Sequence, residues 1–233
     1  GSLESNPFPI NENVWLDPVF KAANFYFCER CGYEVPGIHK ECHMDWQGVR
    51  GDVKKVINGG YHDAGDLSQG IWRTAMATFV MMRNLETLTD HKDTAELADR
   101  LRSEIAWGLQ YVLNTNFGDG FHISWCRMRM FTDNVIGTVD DVIIPARNVA
   151  WENFLTAAVQ IKAAVLLEKS HPDLASRART MAVKDWQAGI DSTINAKTVS
   201  IREAAWGATA SLLLAEITGE EKYKNQAAIF GNQ

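Results

Sequence analysis

No run of about eighteen consecutive apolar residues occurs anywhere in the chain, so no segment reads as a membrane-spanning helix. Basic charge is also scarce. Lys and Arg total 23 against 29 Asp and Glu, a formal net charge of -6, which excludes the broad basic face that nucleic-acid binding requires. Six prolines leave room for long uninterrupted helices. The four cysteines are too few for a disulfide-built scaffold, although an even count permits two bridges. Low-complexity tracts are absent. Gly1-Ser2 reads as a cloning remnant, so the lack of a leader peptide carries no information about secretion.

What remains is the composition of an ordinary globular domain, 46% hydrophobic and 22% charged over 233 residues, enough for one sizeable core. Residues 3–15 read as an extended lead-in. Apolar residues then recur at helical spacing from Asp17 to about Glu29, with Pro18 in the first turn, where its missing N–H does no harm. Helical patterning returns over 67–88, 93–114, 148–169, 173–192 and 200–218, with a last piece starting near Glu221. The spans at 67–88, 148–169 and 200–218 are apolar nearly all round, the mark of buried helices. Those at 93–114 and 173–192 are amphipathic and resemble each other: Leu97-Ala98-Asp99-Arg100-Leu101-Arg102 precedes Trp107, as Leu174-Ala175-Ser176-Arg177-Ala178-Arg179 precedes Trp186. Repeated hairpins with one helix inside and one outside predict an all-α fold, part of an α/α solenoid or toroid. A closed ring of six hairpins would need about twice this length.

Two long glycine-bearing loops interrupt the helices, at 30–65 and 116–146, with a short strand expected at Val142-Ile143-Ile144. Loops of that length inside a compact domain are usually functional. The first contains Cys31, Cys42, His43 and His62 and ends on Asn58-Gly59-Gly60-Tyr61-His62-Asp63-Ala64-Gly65-Asp66. Glycines before and between the two carboxylates exclude an ordinary helix interior. Such a pair suits water activation or metal binding, and equally a solvated loop capping the helix that follows. The cysteines and histidines fit a zinc site in two ways: Cys28, Cys31, Cys42 and His43, built on the Cys-x-x-Cys pattern, or Cys31, Cys42, His43 and His62. Free or disulfide-bonded thiols are the plainer alternative.

Phe25-Tyr26-Phe27, Arg30-Cys31-Gly32, Cys42-His43 and the run from Gly59 to Asp66 resemble glycoside hydrolase family 9. So do Gly118-Asp119-Gly120, Thr132-Asp133, Gly137-Thr138-Val139-Asp140-Asp141 and Glu152-Asn153-Phe154, in the family's order. Cys42-His43-Met44-Asp45-Trp46 with Asp66-Leu67-Ser68-Gln69-Gly70 looks most like members from gut Bacteroidetes. The resemblance implies residues 1–233 as a single unit, the N-terminal portion of an (α/α)6 catalytic domain. It also implies inverting hydrolysis of β-1,4-glucosidic bonds in cellulose-like or xyloglucan-like chains. Asp66 would be the general base and Asp63 the carboxylate that helps hold its water. His122, Trp125 and Phe131 would meet the glycan, and Cys31, Cys42, His43 and His62 would hold a structural zinc. Calcium occurs in the family, but no residue here matches its ligands. The family's general acid is a Glu with no counterpart among these residues, so the chain alone is expected to be inactive or slow. Location outside the cytoplasm, secreted or at the cell surface, follows from the same resemblance, as does possible self-association through uncovered helix faces. Two rivals stand beside it. One is a zinc-stapled helical lobe that binds glycan without cutting it. The other is an isoprenoid diphosphate cyclase, disfavoured by Gly65 between the acids and by the absence of Lys or Arg from Val56 to Trp72.

Overall fold

The computed structural model describes residues 4–8, 10–11, 13–62, 68–88, 94–127, 131–194, 196 and 198–232. Seven helices appear among them, close to the expected spans: α1 (Leu16–Cys28), α2 (Ile71–Thr87), α3 (Ala95–Thr115), α4 (Ala150–Leu167), α5 (Pro172–Thr193), α6 (Ile201–Thr218) and α7 (Glu221–Gly231). Local chemistry sets several boundaries. Pro172 opens α5 in the first turn. Ser200 and Glu203 form a reciprocal capping box at the start of α6, and Gly219 at φ 73 ends it in a left-handed cap.

Three hairpins, α2–α3, α4–α5 and α6–α7, stand side by side, and their first helices pack on one another in the order α2, α4, α6. The middle helix has neighbours on every side: 15 of the 18 residues of α4 are buried. The flanking helices are covered less completely, and Met76 and Val80 on α2 and Leu212 on α6 remain exposed. The expected helical hairpins are therefore present, as an open row.

Glycine lets neighbouring helices approach at one contact in particular. A Cβ on Gly108 of α3 would lie 1.9 Å from Thr78 Oγ1 of α2, whose hydroxyl donates to Thr74 O at 2.7 Å. Similar close approach occurs where Gly189 meets Phe154 and Gly207 meets Phe230.

The loops hold more strand than expected. Besides β5 (Val142–Pro145), the first loop forms a hairpin, β1 (Trp46–Arg50) and β2 (Val53–Val56), turning at Gly51-Asp52 with Gly51 at φ 56. That is a two-residue hairpin loop with glycine at its first central position, Gly-Asp flanked by Val49-Arg50 and Val53. β1 pairs antiparallel with β2 and parallel with β5, giving the order β2-β1-β5. A second, two-stranded sheet joins β3 (Gln69–Gly70) to β4 (Trp125–Cys126). The two long loops are thus hydrogen-bonded to each other across residues far apart in the chain. Trp46, Ile57, Ile123 and Cys126 form their shared core.

Replacing Gly108 by Ala is expected to destabilise the fold by about 1–2 kcal/mol, overpacking outweighing the gain in helix propensity. A lower urea midpoint at unchanged slope reports it, and adding Thr78→Ala should recover part of the loss.

Candidate active-site lobe

The segment Gly59–His62 is clamped from the helices. Trp107 Nε1 of α3 donates to Gly60 O at 2.8 Å, and Tyr61 Oη donates to Glu104 O at 2.8 Å. Gln69 Nε2 donates to Gly59 O. Gly59 and Gly60 have φ of 108 and 68, and a Cβ on Gly60 would sit 2.8 Å from both Thr74 Oγ1 and the Tyr111 ring. Only glycine meets both conditions. Alongside runs Glu29–Cys31: His62 N donates to Glu29 O at 2.8 Å and Cys31 N to Gly60 O at 3.0 Å. Arg30, between them, is paired in the core with Glu104 through Nε at 3.1 Å and Nη2 at 2.9 Å. Its guanidinium lies within 5.4 Å of the ring centres of Phe27, Tyr33 and Trp107. Burial raises the pKa of Glu104, and hydrogen bonding and charge from Arg30 oppose the shift.

Cys31, Cys42, His43 and His62 come together, each offering a ligand atom within 4.8 Å of the others. Cys31 Sγ is 3.1 Å from His43 Nδ1, and Cys42 Sγ is 3.3 Å from His62 Nε2. Tetrahedral zinc with bonds of about 2.0–2.3 Å holds its ligand atoms roughly 3.3–3.8 Å apart, so this sulfur–nitrogen set fits the ion. The four side chains that converge are those of the set containing His62. Cys28 stands outside the cluster, its carbonyl accepting from His39 Nε2 at 2.9 Å. His43 adopts a left-handed φ of 57, a strain that a non-glycine residue bears when its surroundings hold it there. Without a cation the thiols divide unequally. Hydrogen bonding from Cys31 foremost, with His43 and His62, pulls the Cys42 pKa down, while burial and the neighbouring Cys42 push Cys31 well above its ordinary value. A divalent ion would allow both to ionise.

Beside this cluster opens a cleft of about 1060 Å³, lined by α1, α2 and the first loop, with Tyr26, His62, Trp72, Arg73, Phe131 and Asn134 on its walls. Asp63 and Asp66, the expected catalytic pair, lie outside the described residues, immediately after His62. Phe131 is 65% exposed and stacks on the His43 ring at 6.0 Å, so the thiol–imidazole cluster supports this exposed ring. Trp125 is half-buried one ring further out, stacked on Trp72 at 6.3 Å, with the Arg73 guanidinium 4.9 Å from its centre. His122 differs from expectation. It is 1% exposed and faces the fully buried Asp185, Nε2 to Oδ1 3.3 Å. It stands behind the loop and has no open surface to offer a glycan. The reason is a buried polar knot: Asp185 also accepts from Asn116 Nδ2 at 2.7 Å, Thr156 Oγ1 at 2.9 Å and Gln160 Nε2 at 2.8 Å. Glu152 accepts from Ser124 Oγ nearby.

The second loop carries one more convergence. Asp45, Asp133 and Asp140 place carboxylate oxygens within 4.8 Å of one another. Their oxygens are engaged by the loop itself: Thr132 Oγ1 donates to Asp45 at 2.6 Å, Asn134 N to Asp45 at 3.1 Å and Asp133 N to Asp140 at 2.8 Å. Trp72 and Arg73, at the start of a helix with buried patterning, bear no local mark in the sequence that they line the cleft.

The profile of glycosyl hydrolase family 9 matches residues 17–233. The chain belongs to glycosyl hydrolase family 9. Solved structures agree on the fold. A mutant thermostable endoglucanase from Alicyclobacillus acidocaldarius is similar with TM-score 0.73 and 15% identity, over 96% of this chain and 48% of that one. The endoglucanase of the termite Nasutitermes takasagoensis gives TM-score 0.70 at 18% identity, over 92% and 54%. A zinc-binding triple mutant of the family 9 endoglucanase J30 gives 0.70 at 20%, over 94% and 48%. The chain thus spans about half the length of these structures, and its row of hairpins is that portion of the family's helical toroid. None of the curated proteins compared matches its sequence significantly.

Two measurements test the site. Purified protein is expected to carry about one equivalent of zinc, with Cys42→Ser and His62→Ala losing most of it and Cys28→Ser keeping it. Retention by His62→Ala with loss by Cys28→Ser would reinstate the other ligand set. The second concerns Glu152, whose pKa is raised, chiefly by burial and against the Ser124 hydrogen bond. An acid with a raised folded pKa binds its proton more tightly when folded, so its contribution is present at low pH and is lost as pH rises through that pKa. Glu152→Gln should therefore flatten the fall in stability above the ordinary Glu range, read as urea midpoints from pH 4 to pH 8.

Proposed function

We propose that this chain is the base-bearing part of an inverting β-1,4-glucanase that acts on cellulose-like or xyloglucan-like chains. The observation that carries the reading is the clamped Gly59–His62 segment, held by α3 on one side and by the thiol–imidazole cluster on the other, at the wall of the large cleft. His62 lines that cleft, and Asp63 and Asp66 come one and four residues later in the sequence. In this reading Asp66 takes the proton from the attacking water and Asp63 helps orient that water. A protonated carboxyl on the opposite side, roughly 6.5–9.5 Å from the base, donates to the leaving oxygen. No residue of this chain is assigned that role. Zinc serves the structure: it fixes His62 and, through His43, the ring of Phe131. Phe131 and Trp125, with Trp72, offer faces on which glucosyl rings stack, and His122 holds their loop from behind.

Action on an insoluble or polymeric glucan places the protein outside the cytoplasm. No helix among the described residues is long and apolar enough to cross a membrane. The half-length match to the solved endoglucanases keeps one alternative in view, a lobe that binds glycan and does not cut it.

Cellopentaose is the discriminating probe. The chain should bind it, with Phe131→Ala weakening binding about tenfold, or about 1.4 kcal/mol, and should release little or no reducing sugar. Cleavage with inversion at the rate of a full-length relative would refute the incomplete-site reading. Absence of cellopentaose binding would remove the glycan reading altogether.

A further inference from the structure

A second cleft, of about 560 Å³, lies between β2, the end of α3 and the first half of α5, and shares no lining residue with the large one. Val56, Leu113, Phe117 and Met181 form its floor, and Asn114, Ser176 and Thr180 bring amide and hydroxyl groups to its walls. Its charged groups are Lys55 and Arg177, both positive. Lys55 is half-buried: its ammonium donates to Asn116 O at 2.5 Å and sits 4.3 Å from the centre of the Phe117 ring. Several cations of this acidic chain pair with carboxylates, as Arg50 does with Asp119 and Arg179 with Glu168. Among the described residues neither Lys55 nor Arg177 has a carboxylate within 4.0 Å.

We infer that this cleft is a binding site for a small oxyanion, a carboxylate or phosphate group seated between Lys55 and Arg177. Two like charges facing one partly dry groove repel each other, and an anion between them reverses the sign of that interaction. Both cations line this one cleft, and burial first, then the charge of Arg177, lower the pKa of Lys55. The donors present suit such a ligand: an ammonium, a guanidinium fork able to grip two oxygens, and uncharged hydroxyl and amide groups for whatever the anion is attached to. The volume accommodates more than a bare ion and falls within the range of small-molecule sites. Free phosphate and the uronate of an acidic sugar offer the same oxyanion chemistry. The inference stands apart from the glucanase reading, since the two clefts have no residue in common.

Titration of the full chain with inorganic phosphate, D-glucuronate and D-glucose at fixed ionic strength tests this, followed by calorimetry. Phosphate or glucuronate should bind, with Lys55→Gln and Arg177→Gln each weakening the affinity at least tenfold, and glucose should not. Preference for phosphate identifies a compact anion as the ligand, and preference for glucuronate an acidic sugar. Arg177→Glu supplies an internal partner for Lys55, so it should abolish anion binding and raise the melting temperature by roughly 2–4 °C. Equal affinity in wild type and both Gln variants, or no binding of either anion, would overturn the site. So would an unchanged or lower melting temperature for Arg177→Glu.

Discussion

Everything at the active-site lobe depends on how a glycine-rich strand is held against helix α3. Gly60 has a left-handed φ and a carbonyl bound by Trp107, and Tyr61 reaches the backbone of Glu104. Glu104 is fully buried with Arg30 as its counter-ion. A buried pair of this kind contributes little net stability against an apolar replacement, yet removing one partner costs about 3–5 kcal/mol because it strands the other charge. Its value here is one of position. Arg30 lies beside Cys31, and the Glu104 that neutralises it also receives Tyr61, next to His62. One charge pair in the helical core therefore fixes both flanks of the thiol–imidazole cluster.

The cluster solves a different problem. Ten residues lie between Cys31 and Cys42, with little apolar side chain to bury, and such a segment cannot hold a fixed shape by packing alone. The side chains of Cys31, Cys42-His43 and His62 converge and gather it at three points, and the ring of His43 carries Phe131 from the second long loop. The parallel pairing of β1 with β5 and the antiparallel pairing of β3 with β4 complete the link between loops. The cleft wall is thus assembled from chain segments about ninety residues apart, Met44 with Asn134 for example, N to Oδ1 3.1 Å.

The helices were legible because each has a periodic apolar signal. Pro172 bounds α5, and Ser200 with Glu203 and Gly219 bound α6. The four-ligand set was legible as one of two possibilities. Spacing alone favours Cys28 as much as His62, and only the pairing of Glu29–Cys31 with Gly60–His62 brings the histidine in. What spacing could not show was any feature made by contact between distant segments. The β1–β2 hairpin had its Gly51-Asp52 turn in plain view, but its strands are short and become ordered by β5, which arrives some ninety residues later. His122 was misplaced for the same reason. An isolated histidine in an aromatic loop has no local mark that says whether it faces out to a ligand or in to Asp185.

That misplacement shows how the lobe divides its labour. The proposed stacking ring, Phe131, is mostly exposed and rests on the ring of His43. The imidazole of His122 is sealed among Asp185, Asn116 and the strand bridges to Asn116 and Arg147. An exposed aromatic keeps its orientation only if what lies beneath it is rigid, because nothing above it supplies contacts until ligand arrives. In this chain Trp125 rests on Trp72 and Arg73, and Phe131 on the His43 ring of the thiol–imidazole cluster, while the larger apolar clusters lie mainly among the helices. Buried polar groups are orientation-specific in a way apolar packing is not, since a hydrogen bond or metal bond fails over a few tenths of an ångström. A cleft wall built on them can hold its stacking faces still while the helices behind it are held by packing, which tolerates small shifts.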